Sequence, residues 1–162
     1  MIFLCLYLFS NLLFSQNIDI TLEKNISEFK KGFGYYLKSD VVNLSETGKN
    51  NKYRLRVVVS NDTKEKLCAI VLRYSLKLTL RKDNEIMHTI SLFSSSLRIS
   101  QLDQLSSKSF YIYDINNLFT EIKKFMKTNY IPVSIIVEMM REPKKGQELL
   151  FYTKSFDIVI DK

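Results

Sequence analysis

The sequence predicts a mainly β chain, an antiparallel two-sheet sandwich of about seven strands with one short amphipathic helix. Three observations predict it. Apolar residues alternate with polar ones along two runs, 53–60 and 68–81, which is the period of a half-buried strand. Turn chemistry falls between such runs, at Asn61-Asp62-Thr63, Asp83-Asn84 and Pro143 to Gly146, where short polar side chains and glycine favour reversal. Only near 117–128 does the apolar spacing change to steps of three and four, the period of a helix. The alternative is an α+β sheet with that helix packed on one face.

The first sixteen residues, MIFLCLYLFSNLLFSQ, carry no charged side chain. The run 2–14 is apolar except for Ser10 and Asn11. Such a run matches the hydrophobic region of a signal peptide and is short of the roughly 20 residues that span a bilayer. We expect 1–16 to be a signal peptide cut after Ser15 or Gln16. The Phe-Ser-Gln ending resembles that of many exported bacterial proteins, although the segment lacks the usual Lys or Arg. The competing reading is a buried N-terminal strand or helix. Cys5 would leave with the signal, so the domain over 17–162 would hold Cys68 alone, and a lone cysteine makes no intramolecular disulfide.

Along that domain, Ile18, Ile20 and Leu22 share one face of a short strand. The stretch 24–52, with Gly32, Gly34 and Gly48, reads as an irregular connection with one short strand near 35–42. Tyr53, Leu55, Val57 and Val59 then alternate with Arg54, Arg56 and Ser60. In the next run Cys68, Ile70, Leu72, Tyr74, Leu76, Leu78 and Leu80 face one way, and Arg73, Ser75, Lys77 and Arg81 the other. A return strand is expected over 85–93, followed by a Ser-rich stretch and another strand over 108–114. Ile115, Leu118, Phe119, Ile122 and Phe125 mark the helix, with Asp114, Asn116 or Asn117 as its cap and Asn129 as a left-handed stop. Strands over 131–140 and 148–160 close the chain.

Two segments carry a family likeness. Arg56-Val57-Val58-Val59-Ser60-Asn61-Asp62 precedes the long strand, and Leu102 to Leu105 then runs into Ser106-Ser107-Lys108-Ser109-Phe110. This succession resembles exported bacterial immunoglobulin-like domains, in which a strand often ends in Asn before a turn and a Leu plus small-polar turn precedes a later strand. The resemblance covers roughly 53–160 and implies a sandwich with sheet-to-sheet packing. The chain departs from it by the helix, by the missing turn glycines and by lacking the Cys…Trp…Cys core of antibody-type domains.

Composition bounds the function. At 162 residues, 46% hydrophobic and 25% charged, the chain suits one globular domain. One His, two Cys and no Trp leave no residues for a multi-His metal site or a disulfide scaffold. No cofactor is implied, because no phosphate-binding glycine loop, zinc motif or calcium loop occurs. The net charge is +7, which would favour anionic partners. Yet eighteen lysines stand against six arginines, and Ala69 is the only alanine, a profile that AT-rich coding also produces. Nucleic-acid readers rely on the arginine fork, so nucleic acid is not expected.

Candidate chemistry is sparse. His88 is the only base for a Ser-His-Asp or Cys-His arrangement and reads as half-buried packing. Cys68, in register with the core, reads as inert. Glu138 is the most notable acid, but an outward acid on an edge strand is an ordinary protective device. A carboxylate-based hydrolase and an assembly component that pairs through an edge strand are the alternatives. The candidate basic binding face is the outward stripe Arg73, Lys77 and Arg81, with Arg54 and Arg56 alongside. Its rival explanation is that charges on a sheet face prevent aggregation. Exposed Tyr35, Tyr36, Tyr111 and Tyr113 are candidate stacking surfaces for sugars. The triplets at Asn25, Asn43 and Asn61 fit glycan acceptors but arise by chance in so Asn-rich a chain. Together these readings give an exported, non-enzymatic module of the periplasm, cell surface or exterior that contacts a protein or an anionic polymer.

Overall fold

The computed structural model describes residues 16–26, 36–38, 40–47, 51–82, 86–146 and 148–160. Residues 1–15 of the expected signal segment 1–16, with Cys5, lie outside them, as do the Gly32 to Tyr35 run, Gly48 and the Asp83-Asn84 turn, whereas Gln16 begins the first strand. Nine described strands and one helix form two sheets. They are β1 (Gln16–Ile26), β2 (Tyr36–Lys38), β3 (Val41–Asn43), β4 (Asn51–Asn61), β5 (Leu67–Lys82), β6 (Ile86–Leu102), β7 (Ser106–Ile112), α1 (Ile115–Phe125), β8 (Tyr130–Arg141) and β9 (Phe151–Val159). One sheet runs β2-β1-β4-β7 and the other β3-β9-β8-β5-β6. All pairs are antiparallel except β3 with β9, which is parallel.

Period two explains the core. Leu55, Val57 and Val59 on β4 are buried, and so are Leu72, Leu76 and Leu78 on β5. They fall in one apolar cluster with Ile18, Ile20 and Leu22 of β1, Ile135 and Val137 of β8 and Phe156 of β9. Both sheets therefore drain into a single core, because each has one apolar face to remove from water. The helix buries Ile115, Leu118, Phe119 and Ile122 and touches β4 of one sheet and β5 and β8 of the other. It bridges the two sheets and does not lie across one face as in the α+β alternative.

Several expectations need correction. The 24–52 connection holds the end of β1, all of β2 and β3, a 3-10 turn over Leu44–Glu46 and the start of β4. The return strand does not stop at 93. β6 continues through Ser94, Ser95 and Ser96, which pair with Ser75, Tyr74 and Arg73. Serine is indifferent to strand structure, and β5 already offers a ladder of unpaired backbone groups there, so pairing decides. An extra residue, Leu92, bulges where Leu76 faces Phe93 and Lys77 faces Ser91. The helix begins two residues early and ends three early. Asp114 is its N-cap residue but caps nothing with its side chain, which accepts instead from the Tyr74 hydroxyl at 2.5 Å. Nor does Asn129 take a left-handed conformation, since the only described non-glycine residues at positive φ are Ala69 and Leu105.

Candidate functional site

The proposed basic stripe divides between the two sheets. Arg54 and Arg56 lie on β4, and Arg73, Lys77 and Arg81 on β5. Since Leu55 and Leu72 both point into the shared core, their charged neighbours point away from it on separate sheets. Arg54 and Arg56 are also committed to internal partners. The Arg54 Nη2 lies 2.9 Å from Glu23 Oε2, and Arg56 Nη1 lies 3.9 Å from Oε1. Glu23 is only 4% exposed, and burying a carboxylate requires such compensation. Arg54 also sits 3.8 Å from the ring centroid of Tyr111, so that tyrosine carries a cation. Tyr113 is exposed.

The β5 group remains on one face. Arg73 pairs through Nε with Glu142, and Lys77 lies 2.7 Å from Glu138. Arg81 is exposed and has no ion-pair partner among the described residues. Glu138 is not on an edge: β8 lies between β9 and β5, and Glu138 faces Ser75 and Thr153 across the two ladders. Its neighbours on the same outward side are largely hydroxyls. Ser75 and Thr79 of β5, Ser94 and Ser96 of β6, and Thr153 and Ser155 of β9 share the face by register.

Where β5 meets β6 this face opens into a cleft of about 560 Å³, lined by Val71, Arg73, Ser94, Ser96, Arg98 and Glu142 among others. Arg98 stands opposite Val71, and Arg73 opposite Ser96. The two guanidinium-bearing residues are thus diagonal neighbours, within reach of a shared ligand for side chains this long. Glu142 is set in place by its own backbone, whose N–H donates to Val71 O at 2.9 Å. Sequence reasoning missed Arg98 because it lies beyond the Ser-rich stretch read as a loop. The signal that would have found it is the alternation Ser94, Ser96, Arg98 against Ser95, Leu97, Ile99.

Cys68, read as facing the core, and His88, read as half-buried packing, both lie at the surface. Cys68 is exposed. Ala69 has φ +52°, which breaks the pleat between Cys68 and Ile70 and turns the thiol away from the face that Ile70 occupies. His88 is exposed and meets Tyr130 edge-on at 6.0 Å.

The residues that carried the family likeness touch one another. Asn61 is fully buried. Its Nδ2 donates to Glu65 O at 2.8 Å and Asp103 O at 2.9 Å, with Leu102 O at 3.4 Å. Its Oδ1 accepts from Thr63 N and Thr63 Oγ1 at 3.2 and 2.6 Å. Leu105 N closes the junction by donating to Thr63 O at 3.2 Å. The side-chain amide is thereby saturated, so Asn61 fastens the β4–β5 turn to the β6–β7 turn, and its nitrogen is not presented to solvent as a glycan acceptor. At the opposite end of β4, Asn116 does comparable work: its amide accepts from Tyr53 N and donates to Tyr53 O, extending the β4 ladder into the helix.

No protein-family model matches the chain, and no curated protein matches it.

Proposed function

We propose that this chain is an exported, non-enzymatic module of the cell envelope, built as an immunoglobulin-like sandwich, that contacts an anionic polymer or protein through the outer face of its five-stranded sheet. Strand order supports the fold. β1, β4 and β7 stand side by side as strands A, B and E do in that family, and β9-β8-β5-β6 follows the order G-F-C-C′. Export rests on the apolar run 2–14 and the signal-peptide pattern. Intact-mass measurement of the exported protein tests it: loss of about 15 or 16 residues supports the reading, and a retained Met1 refutes it.

One observation carries the binding reading. Arg73, Lys77, Arg81 and Arg98 all emerge on the same hydroxyl-rich face, and a cleft opens between two of them. Cations set among hydroxyls suit acidic, hydrated partners, because charge attracts and the hydroxyls exchange hydrogen bonds. Titration with polygalacturonate and polyglutamate at rising salt tests it. Binding should weaken as salt rises and fall in a combined Arg73→Ala, Lys77→Ala, Arg81→Ala variant. Binding that is indifferent to both refutes the assignment.

A second reading is favoured by β6. This strand ends its sheet, runs for 17 residues and holds no Lys, Asp, Glu, Pro or Gly. Apart from the Leu92 bulge and the single charge of Arg98, it lacks the devices that usually blunt an edge, so it suits pairing with another strand. Sedimentation should then reveal an oligomer that Ser95→Lys dissociates. A monomer at all accessible concentrations excludes self-pairing.

A further inference from the structure

We infer that the β5–β6 cleft is a subsite for the carboxylate of an acidic sugar residue, gripped between Arg73 and Arg98, and that Glu142 holds the place of that carboxylate when the site is empty. The inference rests on the binding reading above and narrows it to one place and one ligand class.

Four features point there. First, the face is concave here, an open depression of about 560 Å³, which falls in the span of about 300–1,000 Å³ over which small-molecule sites occur. That range accommodates one or two sugar rings. Second, the two arginines are unequal. Arg73 is engaged by Glu142, whereas Arg98 is exposed and has no hydrogen bond or ion pair among the described residues. A guanidinium is a planar fork suited to a carboxylate, and one of the two forks here is idle. Third, Glu142 shows what the site accepts. Its side chain already binds Arg73 through a carboxylate oxygen, and its backbone is pinned to Val71, so it returns to the same place whenever a ligand leaves. Fourth, Ser94 and Ser96 are exposed in the same cleft. Their hydroxyls have no protein partner among the described residues, and Val71 offers a small apolar contact. Hydroxyls and an apolar patch suit a sugar ring better than a bare inorganic anion.

Because Glu142 competes with the ligand, removing its charge should tighten binding. Losing an acid helps anions at any basic surface, so the separation comes from Glu138→Gln, which removes a carboxylate from the same face outside the cleft lining and should strengthen binding less than Glu142→Gln.

The test is titration of the whole chain with trigalacturonate at low salt, followed by calorimetry and amide chemical shifts. The methyl ester of the same oligomer, inorganic phosphate and triglutamate are the comparison probes. Trigalacturonate should shift the amides of residues 71–73, 94–98 and 142, and the uncharged ester should not. Arg98→Gln should weaken binding about tenfold or more, the usual effect of losing a charge-assisted pair, without altering the melting curve. Glu142→Gln should strengthen binding severalfold. Equal affinity for triglutamate would overturn the sugar assignment, and shifts by phosphate alone would overturn the carboxylate assignment. If trigalacturonate binds but Arg98→Gln and Glu142→Gln change nothing, the subsite falls while the outer-face reading stands. If neither trigalacturonate nor any anionic polymer binds, both fall.

Discussion

Replacing Asn61 tests the junction that joins the two turns. Two of its hydrogen bonds have no substitute: Nδ2 to Asp103 O and the acceptance from Thr63 N. Thr63 Oγ1 already reaches Glu65 O at 3.0 Å, so its own loss is partly made good. A net hydrogen bond contributes roughly 0.5–1.5 kcal/mol, and an orphaned buried partner costs more, so Asn61→Ala should destabilise the chain by about 2–4 kcal/mol. Asn61→Asp separates the two halves of the amide. It keeps the oxygen that serves Thr63 but turns the donor into a second oxygen facing carbonyl oxygens. An ionised carboxylate there is buried and repelled, so protonation favours the fold. The Asp variant should therefore lie closest to the wild type at acidic pH and fall behind it as pH rises, becoming worse than the Ala variant at neutral pH. Urea melts of all three proteins at about pH 4 and pH 7 would measure this, each variant referred to wild type at the same pH. An Asn61→Ala change within about 0.5 kcal/mol of wild type would mean that the turns hold together without the amide.

Leu76 is fully buried, so Leu76→Ala should cost about 2–5 kcal/mol; equal destabilisation by Lys77→Ala, a partly exposed ion pair worth at most about 1 kcal/mol, would reject the strand's facing. Cys68 is exposed and should react with a thiol reagent in the native protein at a rate near that of the unfolded chain, whereas slow labelling until denaturation would return it to the core. Burial, and then the bond to Asp114, push the Tyr74 phenol up to about 12. The neutral phenol is thus favoured in the fold, and its contribution is complete below the ordinary tyrosine range near pH 10 and lost as pH rises to about 12. Alkaline melts of wild type against Tyr74→Phe should show the gap between them shrinking over that window, and a constant gap would contradict the burial of the hydroxyl.

Local pattern was enough to place β4, β5, β8 and the helix, because period two and steps of three and four are properties of neighbouring residues. The inward faces of Leu55 to Val59 and Leu72 to Leu78 follow from alternation alone. What escaped the sequence was set by partners far along the chain. Ser94 to Ser96 became strand because β5 had backbone groups to satisfy, and with that strand came Arg98 and the cleft. Cys68 left the core because a single positive φ at Ala69 reverses the alternation that any periodic reading must assume. Arg54 and Arg73 look alike on paper, each outward on a long strand. Only the assignment of β4 and β5 to different sheets separates them and leaves Glu23 to neutralise one while Glu142 engages the other. Periodicity tells a strand which face to bury. Which strand lies beside it, and which charges it therefore meets, depends on hydrogen bonds between residues dozens of positions apart, and those form only when the chain has folded.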